Sequence, residues 1–219
     1  LANKDKMEFD DMVINLGLRY DYFDPKRNYP SDYRNPADDI NHPDTVYYTM
    51  ADPKFQWSPR FGLAYQVGNE AILHFSYGHF FQMPPLYAML SNYDRLISTQ
   101  SFNSAIMGNP QLKAEKTVTY EVGLWQKLNR LMSLEVNVYY RDIYKLLSTK
   151  VITTYNTIKY GLYTNKDYGN VRGMELKYEL RSGPISIFTN YTLQYTRGNA
   201  DNPAQSYSRE GNSQDPVSK

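Results

Sequence analysis

The chain has 219 residues, and its 24 Lys and Arg nearly balance 23 Asp and Glu, leaving a net charge of +1. That balance gives no electrostatic case for nucleic acid or an acidic substrate, and the lack of cysteine removes disulfide staples and thiol catalysis. A mean hydropathy of -0.65, with no run of about 18 apolar residues, excludes a membrane helix but not a membrane strand, because alternation dilutes hydropathy.

The first element is predicted over 7–22, where Ile14, Leu16, Leu18, Tyr20 and Tyr22 alternate with Val13, Asn15, Gly17, Arg19 and Asp21. Successive side chains of a strand point to opposite faces, so this strand has one oily and one wet side. A long connection, 23–56, follows. Strands over 57–67 and 71–81 come next, with Phe61, Leu63, Tyr65 and Val67, then Leu73, Phe75 and Tyr77, on the oily side. Gly68 and Asn69 between them supply hairpin-turn chemistry.

A second long connection spans 82–116. Inside it Leu86, Met89 and Leu90 stand at helical spacing, which predicts a short helix over 84–91 that braces the loop. Strands over 117–126 and 132–144 carry Val118, Tyr120, Val122 and Leu124, then Leu134, Val136, Val138 and Tyr140, on one face. Their joint near 127–131 contains Asn129, and a third long connection, 145–170, follows. Strands over 171–181 and 185–196 meet at Gly183-Pro184, and a polar tail covers 197–219.

Connections are therefore short and long by turns, and the long ones far exceed the usual median of about 4–6 residues. If neighbouring strands are antiparallel, all short turns lie at one end and all long loops at the other. Outer-membrane barrels have that asymmetry, with short periplasmic turns and long extracellular loops. The 22 tyrosines suit a membrane interface, where an apolar ring carries a wet hydroxyl, although they also suit strands in general. The expected fold is all-β, an antiparallel up-and-down transmembrane β-barrel. Seven strands would not close one, and open edges in lipid leave backbone groups that cost several kcal/mol each. With no basic and apolar leader at Leu1, the chain is expected to be part of a larger polypeptide.

Several segments carry a family resemblance. Gly108-Asn109-Pro110-Gln111-Leu112-Lys113-Ala114-Glu115, running into Tyr120-Glu121-Val122-Gly123-Leu124, is similar to a stretch of the TonB-dependent outer-membrane receptors. Trp57-Ser58-Pro59-Arg60-Phe61-Gly62 and Ser76-Tyr77-Gly78-His79-Phe80-Phe81 resemble a strand start and a strand exit of that family. Gly173-Met174-Glu175 and Gly17-Leu18-Arg19-Tyr20-Asp21 extend the likeness, whose style is closest to large receptors of Bacteroidetes-like bacteria. The resemblance implies a piece of a barrel of about 22 strands with a filled lumen. It also implies an N-terminal plug from the same polypeptide, a TonB-type energising protein as partner, and residence in the bacterial outer membrane. Gly17, Gly62, Gly78, Gly123 and Gly173 all fall on the wet face, which would let another body pack close to the wall.

Chemistry candidates are sparse. Asp38, Asp39, Asn41, His42 and Asp44 crowd one loop, but the spacing lacks the glycine and terminal Glu of a calcium loop, so a solvated loop is the better reading and no metal is expected. His74 should face the lumen and His79 the outer rim, too far apart to cooperate. No nucleophile elbow surrounds any serine, so no catalytic residue is expected, and no cofactor is called for. The Asn190-Tyr191-Thr192 sequon is predicted to lie within a strand. Loop aromatics are the candidate ligand contacts: Tyr29, Tyr33, Tyr47 and Tyr48 in the first long loop, and Phe80, Phe81, Tyr87 and Tyr93 in the second. Rings above a barrel mouth can grip a ligand at little entropy cost, or simply pack the loops into a cap.

Three functions follow. Active uptake of a scarce solute leads, with the loops setting specificity. A surface anchor or docking scaffold is second, its loops meeting a lipoprotein or another protein. A soluble glycan-binding β-sandwich is third, although its outer faces would carry more Lys and Thr than the Gly, Asn, Gln and Ala seen here. Membrane lipid is a partner in the first two, and nucleic acid in none.

Overall fold

The computed structural model describes residues 2–34, 48–91, 106–155, 159–166, 168–198 and 217–218. Among these, eight long strands form one antiparallel meander. They are β1 (Ala2–Glu8), β2 (Met12–Phe23), β5 (Lys54–Val67), β6 (Ala71–Gln82), β8 (Glu115–Lys127), β9 (Met132–Tyr144), β12 (Tyr168–Ser182) and β13 (Ile185–Gly198). Spatial order follows chain order, and β14 (Val217–Ser218) adds a short ninth strand beside β13. The shorter elements fall in the long connections. These are the pair β3 (Asn28–Pro30) and β4 (Tyr48–Met50), helix α1 (Leu86–Leu90), β7 (Ile106–Met107), and the hairpin β10 (Leu147–Thr153) with β11 (Lys159–Asn165).

Register fixes the faces. Ile14 opposes Leu63, which opposes Phe75, then Val122, Val138, Met174 and Leu193, so one row of apolar side chains crosses seven strands. A slip of one residue would send every one of them to the other face, which is why the alternation specifies the pairing. Nothing covers that apolar face among the described residues: Val122 keeps 47% and Val138 53% of its surface exposed. A sandwich would bury these side chains under a second sheet. Among the described residues no second sheet packs on them, because the two small sheets are built from the long connections at one end of the strands.

Turn chemistry holds the opposite end. Gly183 has φ 56° and precedes Pro184, whose ring forbids positive φ, so this two-residue loop matches a II′ hairpin. Gly68, with φ 61°, opens the turn between β5 and β6. Pro59 lies within β5 rather than at its start, opposite Leu18 of β2. Pairing of β5 with β6 begins only at Arg60 and Gly78, so the missing N–H falls where β5 has a single neighbour.

The two buried apolar clusters sit away from the meander. Met89 (0%), Leu112 (1%) and Ala88 form one cluster, with Phe23, Met83, Leu90, Leu147 and Tyr163 against it. Met107, Tyr160 and Leu162 form another, with Tyr33 and Ile152. Both clusters mix residues from the long connections, which pack on one another as a cap over the strand ends. Helix α1 is part of it, burying Ala88 and Met89 while Leu86 and Tyr87 stay exposed, so the short helix braces the loop.

Candidate functional site

Polar-face residues such as Lys4, Arg60, Thr119 and Arg141, together with Leu16, Leu18, Phe61 and Tyr77 of the other rows, line a hollow of about 770 Å³. One hydrogen-bonded row along it reads Lys4, Gly17, Arg60, Gly78, Thr119, Arg141. Adjacent strands stand about 4.8 Å apart, which puts the Arg60 and Arg141 backbones roughly 14 Å apart with only a glycine and a threonine between them. Neither guanidinium has a carboxylate partner among the described residues; Arg60 stacks on Phe80 at 4.7 Å and Arg141 on Tyr139 at 4.7 Å. Such stacking holds a guanidinium flat while leaving its N–H fork available. Arg19 differs, because its Nη2 donates to Asp21 at 2.7 Å.

The glycines of this face serve the chain's own side chains at three positions. A Cβ on Gly173 would stand 2.5 Å from the Tyr139 hydroxyl, and one on Gly78 would stand 3.2 Å from the Phe80 ring. His74 and Asn137 lie across Gly123 in the same manner. At Gly17 and Gly62 the wall stays bare, with nothing nearer than 3.6 Å.

The cap is stitched through Asn109. Its Oδ1 accepts from the Tyr33 hydroxyl and from the Gln111 N–H, both at 2.9 Å, while its Nδ2 donates to the Tyr163 carbonyl at 2.9 Å. Three long connections therefore meet at one side chain. Further stitches run from the first to the third: the Tyr160 hydroxyl donates to the Tyr33 carbonyl, the Tyr155 hydroxyl donates to Asp32 at 2.9 Å, and Arg34 lies over the Tyr155 ring. Strands β7 and β11 pair in parallel, joining the second connection to the third. Burial pushes the Tyr160 hydroxyl far above its ordinary pKa, and burial with the nearby Tyr87 raises Tyr163. Gly108 is required where α1 ends, since a Cβ there would come within 2.7 Å of the Ser91 nitrogen.

The candidate aromatics do not gather into one cluster. Tyr29 stacks on Tyr33 at 6.2 Å inside the cap, and both are half-buried. Tyr87 is exposed on α1, edge-on to Tyr163 at 6.0 Å. Phe80 belongs to β6 and faces the hollow, whereas Phe81, next in the same strand, points to the apolar face. Tyr48 contributes backbone to β4, and Tyr47 and Tyr93 lie outside the described residues. The acidic loop 38–44 also lies outside them, and among the described residues no three His, Asp or Glu side chains gather within reach of a metal. His74 and His79 point to opposite faces, and His79 shares a 2.6 Å hydrogen bond with the Tyr77 hydroxyl. Sequence reasoning had no signal for the Arg60–Phe80 and Arg141–Tyr139 pairs, because each forms across strands or along a face. Asn109 lies in the family-like stretch 108–115, where spacing suggests no structural role for it.

Rings also band the apolar face near the capped end. Tyr20 meets Trp57 at 4.6 Å, Tyr77 meets Tyr120 at 5.1 Å, Tyr120 meets Tyr140 at 6.4 Å and Tyr144 meets Tyr168 at 5.4 Å. Amphipathic rings in a belt of this kind mark the edge of a hydrocarbon layer.

Comparison with known proteins agrees with this geometry. No curated protein sequence matches the chain. Among solved structures it is similar to the outer membrane transporter YddB from Escherichia coli, with TM-score 0.64 and 15% identity over 90% of this chain and 24% of that one. It is similar to the siderophore receptor PirA from Pseudomonas aeruginosa, with TM-score 0.59 and 17% identity over 90% of this chain and 33% of that one. It is also similar to the FrpB iron transporter from Neisseria meningitidis, with TM-score 0.57 and 17% identity over 91% and 26%. The chain thus spans between about a quarter and a third of the structures it resembles, and the likeness shows the fold. Residues 4–218 match the family described as TonB dependent receptor-like, beta-barrel. The apolar face therefore meets lipid, the polar face lines a lumen, and this chain belongs to the TonB-dependent receptor β-barrel family of the bacterial outer membrane.

Proposed function

We propose that the chain forms part of the wall and surface cap of a transporter that draws a scarce solute inward across the outer membrane, powered by a TonB-type protein. The observation that carries this is a lumen face that asks for an occupant. Arg60 and Arg141 have no carboxylate partner among the described residues, and the wall at Gly17 and Gly62 is bare. Guanidinium donors shut away from bulk water need acceptors, and these would come from what fills the lumen. A plug from the same polypeptide is that body, docking acidic and amide groups on this wall.

The cap provides recognition. Tyr87 on α1 and Phe80 on the wall below keep ring surface exposed and serve as ligand contacts, while Tyr29 and Tyr33 hold the cap in shape. Phe81, on the lipid side, leaves the candidate aromatic set, in which Tyr47, Tyr48 and Tyr93 remain. Similar structures include a siderophore receptor and an iron transporter, so a ferric chelate is the first cargo to try. A cap pre-built from three joined loops also suits docking of a surface lipoprotein, which would hand over cargo. The test is uptake in cells lacking the TonB-type protein: accumulation should cease while surface binding persists. Unchanged uptake would instead make the barrel a passive pore or an anchor.

A further inference from the structure

Five tyrosines make an unbroken chain across the outward face near the capped end. Tyr77 of β6 meets Tyr120 of β8 with ring centroids 5.1 Å apart, and Tyr120 meets Tyr140 of β9 at 6.4 Å. The Tyr140 and Tyr168 hydroxyls stand 3.4 Å apart, which carries the chain to β12, and the Tyr168 ring meets Tyr144 at 5.4 Å. Both ends hold a base supplied by the wall. His79 Nε2 shares a 2.6 Å hydrogen bond with the Tyr77 hydroxyl, which donates when the ring carries its proton on Nδ1. Asp142 accepts from the Tyr168 hydroxyl and from the Asn170 amide, the latter at 3.1 Å. Tyr120, Tyr140, Tyr144 and Tyr168 are exposed, whereas Tyr77 is half-buried. Anchoring at a membrane surface asks only that the hydroxyls meet water. Hydrogen bonds from two of them to an imidazole and a carboxylate suit a different chemistry.

A phenol gives up one electron readily when a base within hydrogen-bond reach takes its proton at the same moment. We propose that this ladder is a one-electron relay that collects oxidising equivalents from peroxyl radicals at the outer membrane surface and holds them on Tyr77. The peroxyl radical takes an electron from Tyr168 and becomes a hydroperoxide by adding a proton from water, while the Tyr168 proton shifts to Asp142. Tyr168 recovers an electron from Tyr140, which is refilled from Tyr120 and then from Tyr77, and Asp142 returns the proton to Tyr168. The Tyr77 proton moves to His79 Nε2, leaving a neutral tyrosyl radical beside an imidazolium. Imidazole is ordinarily the stronger base of the two acceptors, so the missing electron settles at this end, where the ring is the more shielded. A soluble one-electron reductant such as ascorbate restores the phenol. The relay requires the outward face of the barrel wall but not the transport reading, so either can fail alone.

The test uses the full-length receptor containing this chain in phosphatidylcholine vesicles, with peroxyl radicals from a lipid-soluble azo initiator and electron paramagnetic resonance as the readout. Wild type should show a persistent tyrosyl signal that Tyr77→Phe removes. Tyr120→Phe should take away most of that signal with Tyr77 itself untouched, because the phenols on either side then stand roughly 10 Å apart. His79→Gln should cut it at least about tenfold, since a base in hydrogen-bond reach commonly contributes more than this to proton transfer. Tyr65→Phe, at an exposed ring outside the ladder, should change nothing. A wild type without a tyrosyl signal would overturn the relay, an outcome that needs no variant to fold. So would a signal left intact by any of the variants at Tyr77, Tyr120 or His79, which would make the rings a membrane belt alone.

Discussion

Asn109 and Tyr163 lie 54 residues apart, yet the Asn109 amide donates to the Tyr163 carbonyl at 2.9 Å while its oxygen accepts the Tyr33 hydroxyl. This one side chain joins all three long connections of the cap. Asn109→Ala leaves Tyr33, Gln111 and Tyr163 groups without partners, which should loosen the cap by about 2–4 kcal/mol. Tyr33→Phe, removing one bond, should cost about 1 kcal/mol. Limited proteolysis of intact cells should show earlier cleavage in 82–116 and 145–170, with heat-modifiable migration of the barrel unchanged.

The assignment of faces predicts opposite tolerance at neighbouring residues. Arg at Leu16, Val122 or Val138 points into hydrocarbon and should cost about 2–4 kcal/mol near mid-bilayer. Arg at Asn15 or Thr119 points into the lumen and should be milder. Assembly into vesicles, followed by urea unfolding, measures both. Equal penalties on the two faces would remove the lipid assignment.

Gly173 lies beneath Tyr139, whose hydroxyl donates across β12 to Gln194 at 2.8 Å. Gly173→Ala should displace that ring and cost about 1–3 kcal/mol in unfolding experiments. In a Tyr139→Ala background the penalty should fall without vanishing, because the Leu193 carbonyl also stands 2.7 Å from the new methyl.

Alkaline pH should open the cap. Tyr160 donates to the Tyr33 carbonyl, and burial raises its pKa above the ordinary value of 10. A raised folded-state pKa means the neutral form is the one the fold holds. Its stabilisation is therefore full below about pH 10 and is lost as pH rises from there toward the folded-state pKa. Protease sensitivity of the cap should climb over that range, and Tyr160→Phe should remove the contribution of this group.

Alternation revealed the apolar rows of the meander because each strand meets lipid on one side and a wet lumen on the other. Strand β1 gave no such signal. Its Asn3 and Asp5 occupy the lipid side opposite Leu18 and Leu16, and its pairing comes from the edge of β2 rather than from its own pattern. The cap was not legible either. Met89, Leu112 and Leu162 look like scattered apolar residues in polar loops, and only the meeting of two separate connections buries them. The backbones at Lys113 and Lys145 likewise meet through the Asn165 side chain, whose reach no spacing rule describes.

Because β7 borrows its partner strand from a different loop, the outer surface of this receptor cannot be exchanged piecemeal. Transplanting the segment 82–116 alone onto another barrel would strip Met107 of Leu162 and Asn109 of its two tyrosines. A graft should keep its shape only when all three connections travel as a set, and natural variation on that surface should obey the same grouping.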